Sequence, residues 1–198
     1  MRYGRAAFGR LVLALPLLAL AACHHKLSAQ DVSIKSVVPR LAFTMTDAET
    51  GKLVTAADFK GKIVLLYFGY TNCTDICPTT LYNLGRVLKL MGPVAARRVR
   101  ILFVTVDPDR DTPDVLAQYT SLFGPNVVGL RGTPDQLYQL ARRYRVVFSV
   151  VKKPVYSVTH SAAVYVFDGQ GQPQFLIARM GLQRPDLKGV ARDLDHVN

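Results

Sequence analysis

The period of hydrophobic and polar positions changes several times along the chain. Residues 63–68, IVLLYF, form an unbroken apolar run of strand-forming types. Such a run suits a strand buried on both faces rather than one that alternates between core and water. RILFVTV at 100–106 repeats the signal, and NVVGL at 126–130 gives a shorter third case. Elsewhere the period is helical. Leu81, Leu84, Val87, Leu88 and Met91 recur on one helical face, with Pro78 near the first helical position. Thr112-Pro113 and Thr133-Pro134 each set an N-cap residue before a proline. They predict helices running to about Phe123 and Tyr144.

The remaining segments are shorter. RLAFTMTDAETGKLV, residues 40–54, reads as a hairpin around a turn at 47–52. VVFSV at 146–150 is strand-prone, and VKKPVYSVT at 151–159 reads as a loop. AAVYVFD, the turn GQGQP and QFLIA predict a second hairpin, and residues 185–196 a last helix. Strands alternating with helices predict an α/β fold, a central mixed sheet with helices on both faces and an added N-terminal hairpin. The chain is 198 residues long, enough for one domain.

The first residues follow another pattern. MRYGRAAFGR carries three arginines and no acid, and LVLALPLLALAA follows it. A basic start, a short apolar middle and small residues predict a secretory signal over 1–22. LAAC, ending at Cys23, resembles the lipobox of bacterial lipoproteins, in which the cysteine is lipidated and becomes the mature N-terminus. Residues 23–39 then read as a lipid-anchored tether and entry segment, and 40–198 as the folded domain. The expected place is the extracytoplasmic, periplasmic face of the cytoplasmic membrane. His24 after the cysteine, in place of aspartate, leaves outer-membrane sorting open.

Charge changes the picture little. Removal of 1–22 takes three of the 25 basic residues and none of the 14 acids, so a formal charge of +11 becomes +8. A basic surface suits an anionic membrane face or an acidic partner. The lysines and arginines are scattered, and no helix-turn-helix, zinc-finger or aromatic RNA-binding motif occurs, so no nucleic-acid partner is expected.

Cysteine usage changes it more. With Cys23 lipidated, Cys73 and Cys77 are the remaining thiols, in FGYTNCTDICPTTL between the first buried strand and its helix. Functional sites of α/β sheets collect at that strand end. A helix N-terminus favours thiolate through its backbone N–H groups and macrodipole. Four residues advance a helix by one turn, about 6 Å, which brings both sulfurs to one face. The pair can close into a disulfide or converge on one soft metal, Cu(I) or Zn. A third ligand would be a histidine. His24 and His25 sit on the tether and His196 near the C-terminus. His160 stands just before the strand SAAVYVF, where a neighbouring strand end could face the cysteines. Asp107, Asp109 and Asp111 follow the second strand on the same edge. Turn formation accounts for Asp109, while Asp107 and Asp111 stay open.

GYTNCTDICPTTL, VTVDPDRDTPDVL and THSAAVYVFD, in this order and at these separations, resemble the Sco/SenC family over residues 41–191. The resemblance implies a thioredoxin-like fold, membrane attachment and one copper per chain, as Cu(I) or Cu(II). It implies delivery of that copper to the CuA-bearing subunit of cytochrome c oxidase, or to another copper chaperone, or reduction of the CuA cysteines. Cys73, Cys77 and His160 match the family's ligands, and Cys73 and Cys77 its redox-active pair. Asp107 and Asp111 match its acidic pair, with a redox or partner role. The family often has aspartate before the histidine, where this chain has Thr159. That departure puts carboxylate tuning of the imidazole in doubt. The competing reading is a dedicated thiol–disulfide oxidoreductase of the thioredoxin or peroxiredoxin type. The three-residue spacer, the absence of tryptophan and the lack of a peroxidatic-cysteine motif weigh against it.

Overall fold

The computed structural model describes residues 27–28 and 31–197. The signal segment, Cys23, His24 and His25 lie outside the described residues. Among those described, no helix is long and apolar enough to cross a membrane.

In chain order, β1 (Asp31–Ser33), β2 (Thr44–Asp47) and β3 (Leu53–Thr55) precede a 3-10 turn, Ala56–Phe59. Then come β4 (Ile63–Gly69), α1 (Ile76–Ala96), β5 (Val99–Thr105), α2 (Pro113–Ser121), β6 (Val127–Arg131) and α3 (Pro134–Arg143). The chain closes with β7 (Phe148–Val151), β8 (Ser157–His160), β9 (Val164–Phe167), β10 (Pro173–Ile177) and α4 (Leu187–Asp195). Eight strands form one mixed sheet in the order β1-β10-β9-β4-β5-β6-β2-β3. Its centre is parallel, β4 to β5 to β6, and the flanking pairs are antiparallel.

The unbroken apolar run of β4 has a direct reason. Side chains of a strand alternate between faces, and both faces of β4 are covered. Ile63, Leu65 and Tyr67 join the core under α1, α2 and α4. Val64, Leu66 and Phe68 join the core under α3, with Leu137 and Leu140. The cap-and-proline starts hold as well. Thr112 accepts from Val115 N–H, and Thr133 and Gln136 form a reciprocal capping box.

Two expectations need correction. The segment read as a loop at 151–159 contains β8, which pairs with β7 in a separate two-stranded sheet. Cross-strand pairing, absent from any local pattern, makes these polar, half-exposed residues a strand. The segment read as a tether and entry, 23–39, also contributes to the fold, since β1 pairs with β10 and Ile34 is buried.

Candidate metal centre

The cysteine loop leaves β4 at Gly69 and enters α1 at Ile76. The pair does not share the helix, as its spacing suggested. Cys73 lies in the loop, and Cys77 is the second helical residue. Cys73 Sγ instead accepts from the Cys77 backbone N–H at 3.4 Å. That sulfur thus meets one of the helix's unsatisfied first-turn donors, which the Asp75 side chain leaves unmet. Gly69 makes room for the arrangement. A Cβ there would stand 3.0 Å from Cys77 Sγ and 2.5 Å from the Phe103 ring.

His160 arrives from the other side, at the end of β8 rather than at the head of the next sheet strand. Its Nε2 lies 3.2 Å from Cys77 Sγ. Its Nδ1 is 3.0 Å from the Ser161 carbonyl, which can only accept, so Nδ1 carries the proton and Nε2 turns its lone pair to the sulfur. The question raised by Thr159 is thereby answered. Residue 159 points away from the site because neighbours on a strand alternate, and a backbone carbonyl orients the imidazole. The rings of Tyr67 and Tyr70 stand edge-on to it, at 6.1 and 5.8 Å.

Cys73, Cys77 and His160 therefore converge, each offering one ligand atom, with all three atoms within 4.8 Å of one another. Among the described residues no other such group of three occurs. Both cysteines are free thiols. Cys77 is fully buried and Cys73 half-buried.

Burial dominates the electrostatics. It pushes the Cys77 thiol up to about 12, aided by Cys73. The helix start, expected to favour thiolate, is outweighed here. A terminal dipole is worth about 0.3–1 kcal/mol in exposed settings, less than the cost of a buried unpaired charge. Burial likewise lowers His160 below its ordinary 6.5, against a smaller opposing effect of the Ser161 carbonyl. The Tyr67 hydroxyl lies beside Cys77 and Thr80, and no bond of ordinary geometry satisfies it. Burial thus favours the neutral forms of Cys77 and His160, so a cation entering the site displaces the Cys77 proton.

Asp107 and Asp111 do not touch the three ligands. Asp111 is fully buried and accepts from Thr71 N–H at 3.0 Å, Thr71 Oγ at 2.6 Å and Thr105 Oγ at 2.5 Å. It ties the cysteine loop to the end of β5. Asp107, equally buried, accepts from Arg110 Nε at 2.5 Å and the Tyr156 hydroxyl at 2.6 Å. Asp109 is exposed and pairs with Lys152 at the surface. His196 lies at the end of α4, away from the cluster, with Nδ1 at 2.7 Å from the Arg192 carbonyl.

The model of the SCO1/SenC family matches residues 37–192. This chain belongs to the SCO1/SenC family. Protein sco1 of Schizosaccharomyces pombe is 38% identical over 136 residues, covering 66% of this chain and 51% of that protein. Among solved structures, ScoI of Bradyrhizobium japonicum with copper bound is 36% identical, with a TM-score of 0.68 over 80% of this chain and 99% of that one. Apo Sco1 of Thermus thermophilus is 31% identical, with a TM-score of 0.71 over 80% and 91%. The fold is thus the thioredoxin-like one of the Sco proteins. The chain spans about half the length of the curated relatives it matches.

Within this Sco frame, several residues around the site escape a reading of the sequence. Arg110 sits inside the DPDRDTP motif and was within reach of it. Thr71, Thr105 and Ser161 act through partners 40, 6 and 1 residues away, and Tyr156 lies in a segment whose local pattern predicts a loop.

Proposed function

We propose that this chain is an extracytoplasmic copper chaperone. It takes one copper ion as cargo on Cys73, Cys77 and His160 and passes it on for maturation of the CuA site of cytochrome c oxidase. The convergence of two thiols and one imidazole within 4.8 Å carries the reading. The donor set fits the ion. Two soft thiolates with an imidazole suit Cu(I) and also hold Cu(II), whereas structural zinc asks for four closed ligands. A copper-bound Sco relative at 36% identity supports the same metal. The CuA destination and the oxidase partner follow from family membership.

The same thiols support disulfide exchange. Cys73, the half-buried sulfur, attacks a partner's disulfide as thiolate, and one partner sulfur leaves. Cys77 then displaces the other, which yields a reduced partner and a Cys73–Cys77 disulfide. A sulfur tied into that bond no longer serves as a thiolate ligand, so oxidation excludes copper. The deciding experiment is copper titration of reduced and oxidised protein with thiol and metal counts per chain. One copper in the reduced form and none in the oxidised form is expected. Undiminished binding by the oxidised form would place the site on other residues.

Localisation rests on the LAAC end of the signal segment. Cys23 carries lipid and holds the chain on the periplasmic face of the cytoplasmic membrane. Cys23→Ser should release soluble protein or block processing, and full membrane association in that variant would remove the anchor.

A further inference from the structure

The two halves of the metal centre are attached to the fold in different ways. The cysteines belong to the connection between β4 and α1, inside the main core. His160 belongs to β8, which pairs with β7 alone and takes no part in the eight-stranded sheet. Neither β7 nor β8 has a fully buried residue. Something must hold this hairpin in register with the cysteines, since an imidazole displaced by 1 Å is a poor ligand.

Among the described residues, the polar side-chain contacts from residues 148–160 to the body of the protein are few. Lys152 meets Asp109, but both are exposed, so water and salt screen the pair. Apart from His160 itself, the better-covered contact is that of half-buried Tyr156 to buried Asp107. The Tyr156 hydroxyl donates to one carboxylate oxygen at 2.6 Å, and Arg110 Nε donates to the other at 2.5 Å. The Arg110 guanidinium stacks 3.9 Å from the centre of the Tyr156 ring and 6.0 Å from that of Tyr70. The Tyr70 ring in turn stands edge-on to His160 at 5.8 Å. Asp107 is fixed to the rest of the site through its own backbone. Its N–H donates to Thr105 Oγ, and its carbonyl accepts from the N–H of Asp111, the residue that holds the cysteine loop.

We infer that Asp107, Arg110 and Tyr156 form a latch that holds the β7–β8 hairpin, and with it His160, over the cysteine pair. These are positioning residues that do not touch the metal. They set how well the third ligand is presented while leaving the two thiols unaltered. The inference rests on the metal-site reading above for its effect on copper, though not for the latch itself. Phe148 and Val158 also pack the hairpin against the core under α3, so this node is the polar attachment at its His160-bearing strand, and breaking it frees that strand to shift. Histidine would then leave the site before the cysteines do.

The test is a double-mutant cycle on the full reduced chain, using Cu(I) competed against a chelator. Tyr156→Phe keeps the ring under Arg110 and removes only the hydroxyl. It should weaken Cu(I) binding about tenfold, the lower end of the range for groups that orient a metal ligand. In a His160→Ala background the same change should alter affinity by no more than about twofold, because the latch acts through the histidine. Asp107→Asn should show the same pattern and guards against a variant that fails for reasons of its own. In metal-free protein both variants should speed hydrogen exchange at 148–151 and 157–160, with β4 and β5 unchanged. Equal losses of affinity in both backgrounds, or unaltered exchange in the hairpin, would overturn the latch. If His160→Ala alone leaves affinity unchanged, the metal-site reading fails instead, and the exchange measurement still decides the latch.

Discussion

The cysteine side and the histidine side of this centre are opposite kinds of structure. β4 places six apolar residues at 2% exposure or less, whereas the best-covered residues of β7 and β8 are only half-buried. A fully buried large apolar side chain contributes about 1.5–3 kcal/mol. Opening the cysteine side therefore means breaking the core, and opening the histidine side means lifting a small sheet. For the proposed copper chaperone this asymmetry would be useful. Two ligands stay fixed while the third departs, and a three-donor site becomes a two-donor one that a partner's ligands can complete.

The largest effect is expected where the rigid side is held. Asp111→Ala leaves Thr71 N–H, Thr71 Oγ and Thr105 Oγ without their buried acceptor. Net losses of about 1.5–3 kcal/mol for one bond to a charged group put the total at roughly 3–5 kcal/mol, allowing for non-additivity. Urea unfolding measures it. A loss below about 1 kcal/mol would mean that the cysteine loop does not depend on this bracket.

On the histidine side the effect should be on the metal rather than on the fold. His160→Ala should weaken Cu(I) binding by tenfold or more and alter copper–thiolate absorption, with the urea midpoint nearly unmoved. His196→Ala should do neither. Equal effects of the two histidines in a chelator competition would erase the distinction between the sides.

The two sides also titrate in opposite directions in reduced, metal-free protein. Cys77 is raised from 9.0 to about 12 by burial. Its contribution is fully present below pH 9.0 and is lost as pH rises toward about 12, because only the unfolded state then gives up the proton readily. His160 is lowered below 6.5 by burial. Its contribution is present above pH 6.5 and is lost as pH falls below that value, because the unfolded state then binds the proton first. Stability profiles should therefore sag at both ends. Cys77→Ala should flatten the alkaline limb and His160→Ala the acid limb. A single variant flattening both would show that the groups are not independent.

The smallest effect serves as the control. Thr133→Ala removes the capping box of α3, which holds none of the three candidate ligands, and should cost about 1 kcal/mol in a thermal melt. Copper affinity should not change. If it does, the two sides are coupled through α3 as well as through the 105–111 loop.

Much of this protein was written locally. The apolar run of β4 reports a strand covered on both faces, since a strand with one wet face tends to alternate apolar with polar residues. Thr112-Pro113 and Thr133-Pro134 name their own helix starts because capping is a contact over three residues. The spacing and order of CTDIC, DPDRD and THS carried the family and the three candidate ligands that the fold brings together. What the tertiary structure decided lies where the partner is distant in sequence. β8 is a strand only because β7 pairs with it, and local pattern placed it in a loop. Cys73 sits outside the helix because its sulfur takes a helix-end donor, and Cys77 holds its proton because 0% of it meets water. Asp107 and Asp111 look alike in the sequence, yet one holds Tyr156, 49 residues on, and the other Thr71, 40 residues back. Desolvation and long-range hydrogen bonding depend on what surrounds a group in space, and residue type and spacing encode those surroundings only once the chain has closed on itself.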